Sequence, residues 1–157
     1  MSNSKVSILD VASWFLSKEA MTHKKLQKLC YYVQAWGLAL YNKELIDSEF
    51  QAWVHGPVSR ELYNKYKSNG WEDIPKLKSF QPSNTQFFSD EKNLHLLDSV
   101  WFTYGNKSGN ELEALTHQED PWIKARKKAE VKENEPCNEI ILSDDMKVFY
   151  KSIYIGD

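Results

Sequence analysis

A chain of 157 residues with a formal net charge of −2 has the size of one domain and offers nucleic acid no global attraction. Hydrophobic residues make up 41% of it, mean hydropathy is −0.60, and no stretch approaches the ~20 apolar residues of a membrane span. Apolar surface is instead concentrated in 6 Trp, 8 Tyr and 7 Phe, rings that each bury ~150–250 Å² and can build a core at this length.

In chain order, the opening Met1–Lys5 runs into Val6, Ile8 and Leu9 and then meets Asp10. It lacks the continuous apolar centre and small-residue cleavage site of a secretory leader, so a cytoplasmic location is expected. Ser7 reads as a helix N-cap, with Ile8, Val11, Ala12 and Phe15 on one face behind it. Thr22 caps the longest helical pattern, where Leu26, Leu29, Cys30, Val33, Trp36 and Leu40 form an apolar stripe and Lys24, Lys25 and Lys28 fall outside it. From Phe50 to His55 the period changes to two, which predicts a short strand ended by Gly56-Pro57. Ser59 caps a helix through Leu62 and Tyr66 that stops at Asn69-Gly70, and Ile74 and Leu77 suggest a second short strand.

Residues 69–90 form the loosest segment. Ser89-Asp90-Glu91 then opens a helix carrying Leu94, Leu97, Trp101 and Tyr104 on one face. Ser108 and Glu111 have capping-box spacing, so a short helix carries Leu112 and Leu115. Asp120-Pro121 predicts a restart with Asp as N-cap and Pro at the first helical position, and Ser143 predicts a last helix with Met146, Phe149, Tyr150 and Ile153. The expectation is a mainly α (α+β) fold: a single domain over 1–157 of about six helices with a small antiparallel β element. Phe15, Trp36, Trp101, Tyr104, Trp122 and Phe149 take its core positions.

Catalytic signatures are absent: no Gly-rich phosphate loop, no Gly-x-Ser-x-Gly and no His-Glu-x-x-His. Cys30 and Cys137 form no Cys-x-x-Cys pair, which argues against structural zinc and a disulfide framework. The one group with the right chemistry for a site is His55, His117 and Glu119; two imidazoles and a carboxylate hold a divalent metal if they converge, as in a metal-dependent hydrolase. The structural alternative gives His55 to the turn before the next helix, His117 to the carbonyl end of its helix, and Glu119 and Asp120 to orphan amides of the helix that Pro121 and Trp122 lock down. Charge divides as +3 over residues 1–80 and −5 over 81–157, read as a solvated face. A nucleic-acid regulator working through Lys24, Lys25 and Lys28 has little electrostatic support at net −2. Trp53 lies out of phase with Phe50, Ala52 and Val54, and is either covered by a helix or an exposed anchor.

Three blocks carry a family resemblance: residues 25–36, KLQKLCYYVQAW; residues 50–58, FQAWVHGPV, followed by Glu61-Leu62-Tyr63; and residues 115–122, LTHQEDPW, with Ala125-Arg126. In content, order and spacing they resemble the Panacea domain of the SocA-like antitoxins, whose members often carry the label phage-associated protein. The likeness spans roughly Val6 to Ile153. Cys30 stands where the family more often has Leu, and Ser59 where it often has Pro; both fit the same packing. The resemblance implies a bacterial or prophage-encoded, non-enzymatic antitoxin without cofactor, catalytic residue or metal. Its partner would be a cognate protein toxin encoded in the same operon, with a cytosolic AAA+ protease as a further partner where the antitoxin acts as a proteolytic adaptor. The family-motif residues Trp36, Trp53, His55, Gly56, Pro57, Thr116, His117, Glu119, Pro121 and Trp122 then serve mainly as scaffold. Candidate partner-binding residues are Tyr32, Trp53, Arg60, Tyr63 and Trp71, since aromatic and Arg anchors dominate interfaces.

Overall fold

The computed structural model describes residues 5–155. Within them lie α1 (Ile8–Leu16), α2 (His23–Tyr41), α3 (Arg60–Tyr66), α4 (Glu91–Tyr104), α5 (Gly109–Thr116), α6 (Asp120–Lys128) and α7 (Ser143–Ile153), with single 3-10 turns at Lys67–Asn69 and Phe87–Ser89. Four short strands form two antiparallel pairs: β1 (Met21–Thr22) with β4 (Asp73–Ile74), and β2 (Gln51–Trp53) with β3 (Gly56–Val58). The protein is mainly α with a little β, as expected; among the described residues there are seven α-helices where about six are expected, and the small β element is two strand pairs. Among the described residues no helix is long and apolar enough to cross a membrane.

Helix α2 is the axle. Thr22 caps it by accepting from Lys25 N, Asn42 ends it in the left-handed conformation (φ 58°), and it touches α1, α3, α4, α5, α7, β1 and β3. Leu26, Leu29, Cys30 and Val33 are fully buried, as the stripe predicts, whereas Trp36 is half-buried and Leu40 is exposed at its far end. Because neighbours surround the helix, its polar residues are enclosed too, and the expectation that the lysines lie outside the core fails for two of them. Lys25 Nζ donates to Gly105 O at 2.6 Å, capping the end of α4, and Lys28 is only 1% exposed.

Two glutamines two turns apart on α2 act as backbone clamps. Gln27 accepts from Ser59 N (2.9 Å) and donates to Ser59 O (3.1 Å), pinning the cap of α3. Gln34 accepts from Leu45 N and Ile46 N and donates to Ile46 O, pinning the loop after α2. Each amide thus satisfies backbone groups that no strand pairs, the requirement for burying a loop.

Caps at Ser7, Ser59 and Ser108 hold as read, the last as a full capping box, and within the Ser89-Asp90-Glu91 start of α4 the cap is Asp90. Elsewhere the sequence expectation needs correcting. The N-cap positions of α6 and α7 are Glu119 and Leu142, not Asp120 and Ser143, and the Ser143 hydroxyl donates instead to Glu44 at 2.5 Å. The inward face of α4 is Leu96, Leu97, Val100 and Tyr104, one step round from the predicted one, leaving Leu94 and Trp101 half-buried. Phe15, Tyr104 and Trp122 are core rings, while Trp36, Trp101 and Phe149 are only partly covered. Gly56-Pro57 does not end the strand region; it lies in β3, across a turn at Val54-His55. Ile74 is paired in β4, but Leu77 is in no strand, its N–H donating to Leu16 O.

Candidate functional site

Two of the three motif blocks meet where the α5–α6 joint grips the β2–β3 hairpin. Trp122 Nε1 donates to Trp53 O at 2.8 Å, and one turn on, Arg126 Nη1 donates to Ala52 O at 2.9 Å. The other guanidinium nitrogen of Arg126 reaches Lys132 O and Glu135 O, so a buried cation closes the loop after α6 through carbonyls alone. His117 stacks on Trp122, ring centroids 3.9 Å apart and 9° from parallel. Gly56 has φ +109°, and a Cβ built there would fall 2.4 Å from Lys28 Cε and 3.0 Å from Thr116 Oγ1. The positive backbone angle calls for glycine, and any side chain there would have to displace the end of Lys28. The first block supplies Lys28, whose Nζ donates to Pro57 O at 3.4 Å.

Behind the joint lies a buried carboxylate. Glu119 Oε1 accepts from Tyr32 Oη (2.8 Å) and Tyr150 Oη (2.7 Å), and Tyr150 Oη lies 3.1 Å from Tyr31 Oη. Tyr32 stacks on Tyr104 at 3.9 Å, and Trp36 Nε1 donates to Tyr104 Oη. Burial raises the Glu119 carboxyl above its usual range, although the two hydroxyls favour its charged form. Glu119 therefore ties α2, α6 and α7 together and does not cap α6, as the sequence suggested; no side chain makes that cap. Tyr32, read as a candidate anchor, is fully enclosed here, and its correct place is the core.

His55, His117 and Glu119 do not converge. His55 is exposed, its Nδ1 donating to Glu113 Oε2 at 3.1 Å; the ring meets a side chain, not the backbone of the turn. His117 lies at the C-cap of α5, where burial lowers its pKa, so it sits as a neutral ring against Trp122 and not as a cation on the helix dipole. Glu119 faces the tyrosines. Among the described residues no three His, Cys, Asp or Glu side chains are placed to hold a metal, which removes the geometric basis of the metallohydrolase reading. Nor do Lys24, Lys25 and Lys28 make a basic face: Lys24 pairs with Glu113 at 2.6 Å, Lys25 caps α4 and Lys28 is inside.

The remaining candidate anchors gather. Trp53 and Tyr63 pack edge to face at 4.9 Å, the Arg60 guanidinium lies over Trp53 at 5.3 Å, and Trp71 is 78% exposed with Lys24 Nζ 5.7 Å from its ring. Trp53, Tyr63 and Trp71 line a groove of about 220 Å³ with Lys24, Lys28 and Lys67. His23, also in its wall, stacks on Tyr63 and accepts from the Gln27 amide, which fits an imidazole held neutral by burial with its pKa down at about 4. Sequence reasoning missed Lys67 and His23, and named Lys28 only as a solvated lysine of a nucleic-acid reading. The signal for Lys28 was its position in a long helix apolar on most of its circumference; Lys67 and His23 had none.

One family model, described as antitoxin SocA-like, Panacea domain, matches residues 26–123, from the second turn of α2 into α6. No curated protein and no solved structure matches the chain.

Proposed function

This chain belongs to the SocA-like antitoxin family of the Panacea domain, and from that premise we propose that it neutralises a protein toxin by direct contact. The observation that carries the proposal is the gathering of Trp53, Tyr63 and Trp71 at one groove, with Arg60 over the Trp53 ring and Trp71 left 78% exposed. Aromatic and Arg side chains are the usual anchors of an interface, and a standard one buries ~1,600 Å² in total, ample to occlude a toxin's working surface. In this reading Trp36, His55, Gly56, Pro57, Thr116, His117, Glu119, Pro121 and Trp122 are scaffold. They hold the hairpin and the joint, while the groove meets the partner. The chain acts as a binding protein with no catalytic step of its own. The toxin is the product of the adjacent gene, and the complex is also a form in which a cytosolic AAA+ protease can receive the toxin.

Co-expression with that gene tests the proposal. Growth arrest by the neighbour alone, rescue by this chain and co-purification of the two proteins are the expected results. A harmless neighbour, or a toxic one neither rescued nor bound, overturns it. Toxin half-life with and without the antitoxin separates occlusion from delivery for degradation.

A further inference from the structure

We propose that the groove between α2, α3 and the β2–β3 hairpin reads a carboxylate: it takes an acidic side chain of the protein partner together with an apolar or aromatic neighbour. The partner's identity as a toxin rests on the preceding reading; the chemistry of the groove stands on its own residues. Three lysines line it and no Asp or Glu does. Lys24 is already tied to Glu113 and Asn110, but Lys28 and Lys67 have no ion pair among the described residues. Lys28 is the unusual member. Its ammonium carries three donors, yet at 1% exposure it makes one long hydrogen bond, 3.4 Å to Pro57 O. A carboxylate entering the groove supplies the acceptor and the opposite charge that a buried ammonium requires.

The rings set the rest of the occupant. Trp53, Tyr63 and Trp71 present apolar faces beside those cations, a surface for an aliphatic or aromatic side chain adjoining the acid. About 220 Å³ admits one or two side chains. A single-stranded nucleic acid would need successive stacking platforms along a continuous basic track, and a chain of net −2 with Glu113 at the groove's edge provides neither. Burial lowers Lys28 to about 7, with nearby Glu113 opposing and Lys24 reinforcing the shift. His23 and His117, the other titratable groups facing it, are shifted down by burial and remain neutral there. Binding an acid therefore completes the protonation of Lys28 near neutral pH.

Proton–nitrogen correlation spectra of the full chain test the groove with three probes: N-acetyl-Glu-Trp-Glu amide, its Gln-Trp-Gln counterpart and a short oligothymidine. Millimolar Glu peptide is expected to shift the indole N–H signals of Trp53 and Trp71. The Gln peptide should bind about fivefold or more weakly, and Lys67→Glu should abolish the preference. Equal shifts from both peptides, no shift from either, or tighter binding of oligothymidine overturns the proposal. With the co-purified toxin, Lys28→Met should weaken binding by about 30-fold or more without lowering the melting temperature. Wild-type binding should also weaken between about pH 6 and pH 8, and that of Lys28→Met should not. A toxin that binds both proteins equally sinks the groove proposal and leaves toxin binding standing. If no toxin binds the wild type, the toxin reading falls and the peptide selectivity alone decides the groove.

Discussion

Two enclosed ionisable groups, Lys28 on the central helix and Glu119 packed against it, have opposite surroundings. Glu119 sits in a knot of phenols with two short hydrogen bonds, each from a different helix. Lys28 sits under the hairpin with a single long one, beside a groove. A buried polar group with its partners in place holds elements together. One poorly supplied with partners costs stability wherever nothing binds, which is the ground for the groove proposal. The knot should therefore govern folding and the groove should govern binding.

The sharpest way to break that division is Trp122→Ala. It removes the stack on His117 and the hydrogen bond to Trp53 O, and should cost ~3–5 kcal/mol, read as a melting temperature about 10 °C or more lower. Any loss of partner binding should track the unfolded fraction; a stable Trp122→Ala protein that no longer binds would move the joint from scaffold to interface. Gly56→Ala comes next. Positive φ and the 2.4 Å approach to Lys28 Cε should cost about 1–3 kcal/mol in urea unfolding.

Glu119→Gln should cost about 1–2 kcal/mol, because its amide hydrogens enter a cluster built around an acceptor. Its pH signature is specific. The folded-state pKa of Glu119 is raised, so the native protein binds that proton more tightly than the unfolded chain does. That contribution is fully present below the unfolded value of about 4.5 and is lost as pH rises through the folded one. The wild-type advantage over Glu119→Gln, measured as urea midpoints, should shrink along that rise.

Lys28 runs the other way. Its folded pKa, about 7, lies below the ordinary 10.5, so the unfolded chain holds the proton more tightly and native stability grows as pH climbs between those values. Lys28→Met should be more stable than the wild type at pH 6, by on the order of 1 kcal/mol or more, with the gap narrowing as pH rises from about 7 toward 10.5. Smallest of all in stability is Trp71→Ala. At 78% exposure it should shift unfolding by less than ~0.5 kcal/mol while weakening partner binding, and an equal loss of both would erase the distinction drawn between the two regions.

Much of the helical frame was legible because caps and periodicity are local. Ser7, Thr22, Ser59, Asp90 and Ser108 each cap through their own side chain, within three residues of the amide they serve. The features that misled most about the site depend on residues distant in sequence. Glu119 looks like a helix-start carboxylate until Tyr32 and Tyr150 arrive from elsewhere, and Lys28 looks solvated until the hairpin covers it. Tyr32 was named as an anchor because the stripe assigned α2 one buried side; seven other elements enclose it instead. Of the site, the candidates Trp53, Arg60, Tyr63 and Trp71 were readable one at a time as anchor chemistry. That the three rings share one groove, with Arg60 over Trp53, was not, because Trp53 comes from the hairpin, Tyr63 from α3 and Trp71 from the turn beyond Gly70.

The tyrosine knot also sets a schedule. Its hydroxyl pair Tyr31–Tyr150 joins residues 119 positions apart, and Glu119 itself follows Tyr32 by 87. During synthesis the ribosome releases α2 long before the helix that seals it, so the nascent chain carries a bare aromatic face until α7 emerges. That interval is when the unsealed helix lies most open to contacts other than its own α7.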